Sequence, residues 1–305
     1  MLNRFSIIEN KVTPDDNGNI WIYFNPSEEE KRFLIDNFSL DEHTLNSSLD
    51  AEEIARLEFE PNHLAMIFKG PKSYIATELF FFRVLSIGAF LFQDKLIIIC
   101  AQELPMMFHG KHFQKVNSLI DLLFKLIYRF IFQFYEHLKI INKISDELEE
   151  KINEAMGNKY LLNLFSLEKS LVYYLNAISS NGILMEKLKA NSSKININIE
   201  DSELLDDIII ENTQCLKQAD IYSNILASMM DARVSVVSNN LNILMKTLNI
   251  ITILIMVPTF VVSAFSMNVE LPFNLKEHPL AFWLIMGMAV ISIIGVMLVW
   301  KYKKW

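Results

Sequence analysis

A run of polar and methionine side chains recurs at spacings of three and four through an otherwise apolar stretch: Asn242, Met245, Asn249, Thr252, Met256, Thr259, Ser263 and Ser266. At about 100° per residue on a helix these positions fall within a sector about 120° wide. The rest of the stretch is dominated by Ile, Leu, Val and Phe. In hydrocarbon, hydroxyl and amide groups must face protein or water, so the stripe points away from lipid. The same register continues through Ser238, Ser235, Asp231 and Ser228. Two readings fit the spacing. One is an aqueous seam along a helical bundle; the other is close helix packing over small hydroxyl residues, or Ser and Thr bonding back to their own helix.

The elements that must position this stripe are two long apolar stretches, Leu248 to Met267 and Pro279 to Trp300. Each is roughly 20 residues without a charged side chain, which matches a hydrocarbon core about 30 Å thick. Buried helices of soluble proteins rarely run so long without a charge, so both stretches read as membrane spans. Arg233 and Lys246 precede the first, Lys301, Lys303 and Lys304 follow the second, and the loop between them carries only Lys276. Cations flanking a span tend to stay inside, which predicts a hairpin in the plasma membrane with both termini cytoplasmic. Trp283 and Trp300 suit the two interfacial belts. The second span offers only Ser292 and two glycines besides apolar residues, and reads as lipid-facing support.

Upstream, between Ile199 and Phe265, there is no glycine and a single proline, Pro258. The expectation is one continuous helix of roughly 100 Å running from cytoplasm into membrane. So long a helix needs neighbours along its length, and self-association supplies them. Pro258 should kink the helix or loosen its local bonding.

The 305 residues, 51% of them hydrophobic, leave enough chain for a sizeable domain besides the hairpin. A net charge of -8 argues against a nucleic-acid partner and fits a cationic one. Cys100 and Cys215 form no disulfide framework or zinc-finger spacing. No glycine-rich phosphate loop or catalytic nucleophile motif appears, so no enzyme is expected. From Phe5 to about Gln102, Ile20 to Phe24, His63 to Phe68, Leu79 to Val84 and Lys95 to Cys100 read as strands, with a hairpin turn at Gln93-Asp94. Ser27 followed by Glu28, Glu29 and Glu30 reads as a capped helix start.

Ser118 to Asn153 reads as a long helix with a solvated stripe at Asp121, Lys125, Arg129, Glu136 and Lys139, ended by Gly157-Asn158. Leu161 to Ala190 reads as another, broken at Asn191-Ser192-Ser193. The expected organisation is an α/β cytoplasmic domain with a mostly antiparallel sheet over 1–115, then a helical region over 116–198 and a stalk helix over 199–246. A pore-lining first span over 247–267, an outer loop over 268–278, a second span over 279–300 and a basic tail over 301–305 complete it.

Two clusters could bind metal. Glu200, Asp201, Glu203, Asp206, Asp207 and Glu211 crowd the start of the stalk helix, where first-turn carboxylates also complement the helix dipole. His109 and His112 are three apart, with no carboxylate or thiol beside them, and read as an exposed loop.

From Asn242 to Asn268 the chain resembles the CorA family of divalent-cation channels, whose signature is Gly-Met-Asn just after the first of two C-terminal spans. Here the tripeptide is Ser266-Met267-Asn268, preceded by Phe265 where Tyr is usual. The resemblance extends to the whole organisation. It implies a homopentameric funnel with the first span lining the pore and Asn268 ringing its outer mouth, where amides hydrogen-bond the water shell of an arriving cation. Magnesium dehydrates reluctantly, which suits such outer-sphere recognition. The resemblance also implies that Asn242, Met245, Leu248, Met256 and Thr259 are pore positions, with Met245, Leu248 and Met256 as apolar constrictions that gate by dewetting. Asp207, with Asp206 and Glu203 nearby, matches stalk carboxylates that bind regulatory Mg²⁺ between subunits.

Mg²⁺ thus enters as transported ion and as regulatory ligand, with no cofactor. The replacement at Ser266 trades glycine, which readily adopts positive backbone angles, for a residue that does so at a cost. Zinc, cobalt or nickel transport within the same family is the alternative. A membrane-anchored sensor or scaffold is the alternative of another class.

Overall fold

A computed structural model of the chain describes residues 2–73, 80–103, 107–108, 110, 113–154, 159–195, 197–267 and 280–303. Asn268 and the rest of the expected outer loop, His109, His112, Gly157-Asn158 and Lys304 lie outside the described residues. The chain forms two compact units, Met1–Met230 and Asp231–Trp305.

In the first unit seven strands make one sheet: β1 (Leu2–Ile8), β2 (Lys11–Pro14), β3 (Ile20–Phe24), β4 (Arg56–Phe59), β5 (Leu64–Pro71), β6 (Val84–Leu91) and β7 (Leu96–Cys100). Their order across the sheet is β2-β1-β3-β7-β6-β5-β4. All neighbours are antiparallel except β3 and β7, which run parallel with Ile20 opposite Leu96 and Phe24 opposite Cys100. The mostly antiparallel sheet is as expected, and the turn at Gln93-Asp94 closes with Phe92 N–H donating to the Lys95 carbonyl at 2.8 Å. The strand expected from Leu79 to Val84 is corrected. Among its described residues, Phe80 to Arg83 are irregular, and Phe82 N–H is spent on the Ser170 hydroxyl at 2.9 Å rather than on a ladder. The edge strands β2 and β4, and β1 beside β2, carry too little apolar alternation to stand out in the sequence.

Period-two alternation divides the sheet between two cores. Tyr23, Ala65, Phe90, Ile97 and Ile99 face α1 (Glu28–Phe38) and α2 (Glu42–Ser47), against Leu34 and Leu45. Ser27 and Glu30 form the expected capping box at the start of α1. On the opposite face Ile22, Met66, Phe68, Ile87 and Ile98 pack under α3 (Leu119–Glu154), α4 (Lys159–Ala190) and the beginning of α6 (Ile199–Phe265). Asn181 of α4 clamps β5: its Oδ1 accepts from Lys69 N–H and its Nδ2 donates to the Lys69 carbonyl, both at 2.8 Å. The one-turn α5 (Ser192–Ile195) fills the break at Asn191.

The solvated stripe expected along α3 holds at Glu136 and Lys139 but not at its start. Asp121 is only 4% exposed, and Lys125 and Arg129 are half-buried. The reason is capping. Ser118 Oγ accepts from Asp121 N–H (3.0 Å), the Asp121 carboxylate accepts from Asn117 N–H (2.7 Å), and Lys125 Nζ pairs with it at 2.8 Å. A carboxylate with those partners is tolerated under the neighbouring helix.

The expected continuous helix is α6, 67 residues with Pro258 inside it. Within the first unit its buried side recurs at Asp201, Leu205, Ile208, Asn212, Cys215, Ala219 and Leu226, spacings that keep one helical face on the core. In the second unit α6 and α7 (Ala281–Lys303) are long and apolar enough to cross a membrane.

Candidate functional site

Within the second unit the half-buried side of α6 falls at Ile250, Leu254, Val257, Val261 and Ala264, and that of α7 at Ile285, Met288, Ser292 and Val296. Both sets keep helical spacing. A groove of about 530 Å³ between the two helices is lined by Ile250, Ile253 and Val257 on one side and Ser292, Gly295, Val296, Val299 and Trp300 on the other. The two helices therefore meet through aliphatic faces.

The stripe occupies the far side of α6. Asn242, Met245, Leu248, Asn249, Thr252, Met256, Thr259, Ser263 and Ser266 are all exposed, Met256 at 65%. Close packing inside the hairpin does not account for the stripe, because α7 covers a different face. Back-bonding does occur: Thr252 Oγ1 donates to the Leu248 carbonyl (2.9 Å) and Thr259 Oγ1 to that of Ile255 (2.6 Å). Those bonds use the hydroxyl protons and leave oxygen lone pairs outward, the orientation a hydrated cation needs. Pro258 brings no N–H, so the Leu254 carbonyl lacks its intrahelical donor one turn below Thr259. The helix ends at Phe265, where Ser266 N–H reaches the Val262 and Ser263 carbonyls at 3.2 and 3.1 Å. Ser266 and Met267 are absent from the residues with positive φ, so the serine that replaces glycine carries no left-handed strain.

The stalk carboxylates separate. Glu203 and Asp207 are exposed, whereas Asp206 faces Lys189 of α4, Oδ1 to Nζ 2.7 Å. Among the described residues of one chain, no three acidic, histidine or cysteine side chains form a group able to hold a metal. The buried acid of this stalk cluster is Asp201, 6% exposed, in the first turn of α6. Asn198 Oδ1 accepts from its N–H at 2.7 Å. Burial, and after it the Asp121 carboxylate, hold its carboxyl above the ordinary range, with Lys125 acting in the opposite sense. This pairing of two helix starts was missed from sequence. Its signal was present as the repeated capping spacing Ser118 to Asp121 and Asn198 to Asp201.

Residues 16–303 match the family described as "CorA-like Mg2+ transporter protein". The chain is 26% identical to the cobalt/magnesium transport protein CorA of Methanocaldococcus jannaschii over 98% of its own length and 96% of the relative's. The solved complete structure of the CorA magnesium transporter from that organism superposes with a TM-score of 0.80 at 21% identity, covering 98% of this chain and 96% of the other. The ZntB cytoplasmic domain from Vibrio parahaemolyticus superposes at 0.62 with 15% identity, over 78% of this chain and 98% of that domain, a likeness of fold.

Proposed function

This chain belongs to the CorA-like Mg²⁺ transporter family, and from that premise we propose that it is a homopentameric channel passing Mg²⁺ through a pore lined by α6. The observation that carries the reading is the polar and methionine stripe from Asn242 to Thr259, left outward by a hairpin partner that covers the other side of the same helix. An anchor needs no such face. The stretch from Val234 to Asn249 supports self-association, since every side chain along it is exposed, Val237, Leu241, Leu244 and Leu248 included. Around a common axis these residues would bury one another.

In this reading the chain is a multi-pass membrane protein with both termini cytoplasmic. Asn268 amides hold the water shell of the incoming ion at the outer mouth, and Asn242 and the threonine oxygens receive it below. Met245, Leu248 and Met256 form constrictions that close by dewetting. An inside-negative potential supplies about 2.3 kcal/mol per charge per 100 mV, enough to drive a divalent cation inward. Asp207 and Glu203, exposed and uncommitted to Lys189, are the carboxylates free to share a regulatory Mg²⁺ with a neighbouring copy; Asp206 contributes less directly. The stripe offers oxygen donors without histidine or thiolate, which favours Mg²⁺ over Zn²⁺.

The test is cation uptake by proteoliposomes holding wild type or Asn268→Ala, with Mg²⁺, Co²⁺ and Zn²⁺ offered separately, with and without a pH gradient. Expected is potential-driven Mg²⁺ uptake that falls at least about tenfold in the variant, equivalent to about 1.4 kcal/mol of ion stabilisation lost at the outer mouth. Equal Mg²⁺ uptake by both proteins overturns the pore. Zn²⁺ uptake dependent on the pH gradient, without Mg²⁺ uptake, assigns the chain to zinc carriage instead.

A further inference from the structure

Within the first unit, away from α6, a cavity of about 630 Å³ lies where the β4–β5 turn, the β6–β7 turn, the start of α3 and α5 come together. That volume is within the range of about 300–1,000 Å³ typical of small-molecule sites. Nothing in the ion path uses it. Its walls combine two aromatic rings, Phe59 and Phe92, with His63, Glu60, Lys194 and the first turn of α3.

Three features of the wall favour an anion. Ser118 spends its hydroxyl on Asp121 N–H, and the first intrahelical bond is Leu122 N–H to the Ser118 carbonyl, so the Leu119 and Ile120 N–H groups have no intrahelical acceptor. They stand at the positive end of a 36-residue helix. Lys194 brings a full positive charge, its Nζ 5.1 Å from the centre of the Phe59 ring. His63, 8% exposed, has no hydrogen-bond partner on either ring nitrogen. Burial holds its imidazole below the ordinary histidine range, so the neutral ring keeps one N–H to donate. A donor so placed takes its partner from water or from a group bound in the cavity. The ring also stacks on one face of Phe92, centroids 4.8 Å apart. Glu60 and, in the first turn of α3, the Lys125-paired Asp121 carboxylate are the opposing charges. Glu60 sits on the β4–β5 turn, where its N–H donates to the His63 carbonyl at 3.0 Å.

The geometry points to a binding site for a small aromatic anion, its charged head held by Lys194 and the start of α3 and its ring lying against Phe59 and Phe92. The site is independent of ion conduction. Phenyl phosphate and benzoate are the probes, titrated calorimetrically into the full-length protein in detergent, with inorganic phosphate and benzyl alcohol as arms that lack the ring or the charge. Expected is saturable binding of one aromatic anion per chain, with both control arms at least about tenfold weaker. Lys194→Glu should weaken phenyl phosphate at least about tenfold, whereas Glu60→Gln should tighten it, the signs expected from Coulomb attraction and repulsion. Both positions are on the surface of turns or α5, and an unchanged thermal midpoint confirms the fold of each variant. Absence of saturable binding of both aromatic anions at millimolar concentration overturns the proposal. So does equal affinity of wild type and Lys194→Glu, or phosphate binding as strong as phenyl phosphate binding.

Discussion

His137 sits between α3 and α4 with Nδ1 2.7 Å from the Tyr174 hydroxyl and its ring stacked on that tyrosine. Burial lowers its pKa to about 4, so the native protein holds it neutral through the range where the unfolded chain would protonate it. The sign follows from linkage: below about pH 6.5 the unfolded state binds the extra proton, and stability falls as pH drops toward the folded value. Full expression of that shift is about 3 kcal/mol, at about 1.36 kcal/mol per unit. Denaturant unfolding at pH 7 and pH 4 should show that loss in wild type and much less of it in His137→Gln, whose amide can still bond Tyr174. An equal loss in both would assign acid sensitivity to other groups. Ser266, where the resemblance expects glycine, has no left-handed backbone.

Between elements, one side-chain amide supplies two polar bonds to the otherwise apolar joint of α4 with β5. Asn181, 1% exposed, satisfies both backbone groups of Lys69, and Asn212 of α6 similarly donates to the Ile178 carbonyl of α4 at 2.9 Å. Asn181→Ala leaves a buried N–H and a buried carbonyl unpaired, which costs about 2–5 kcal/mol. Chemical denaturation should report that loss, while Ser27→Ala at the exposed α1 cap should cost only about 1 kcal/mol. The long helices, the α1 cap and the β6–β7 turn were legible because their signals are local: hydroxyl caps, absent glycine, helical periodicity. The parallel pairing of β3 with β7 was not, since strand partners 76 residues apart leave no local mark. Nor was the burial of Asp121 beneath a stripe that looked solvated. Its charge pattern in sequence is the same whether water or Lys125 answers it.

At the scale of the whole molecule, the prediction is assembly. A helix exposed on every side from Val234 to Asn249, rich in Val, Leu and Ile, has no stable reason to stand alone. Native mass spectrometry from detergent should give a species of five chains, and replacing Leu241 and Leu244 by Glu should break it into smaller ones. A monomer as the stable wild-type species would remove the pore along with the pentamer. The family match spans residues 16–303, so the α/β unit, stalk and hairpin belong to one transporter plan rather than to a grafted anchor.

The amino-acid sequence alone determined the membrane hairpin, the continuous α6 and the stripe along it, because hydrophobic length and helical period are written in neighbouring residues. It could not decide what the stripe faces. Packing made that choice: α7 lies against the aliphatic side of α6 and leaves the asparagines, threonines and methionines outward. Which face of a helix is covered depends on a partner element, and a partner's position is a property of the fold, not of the helix that carries the residues.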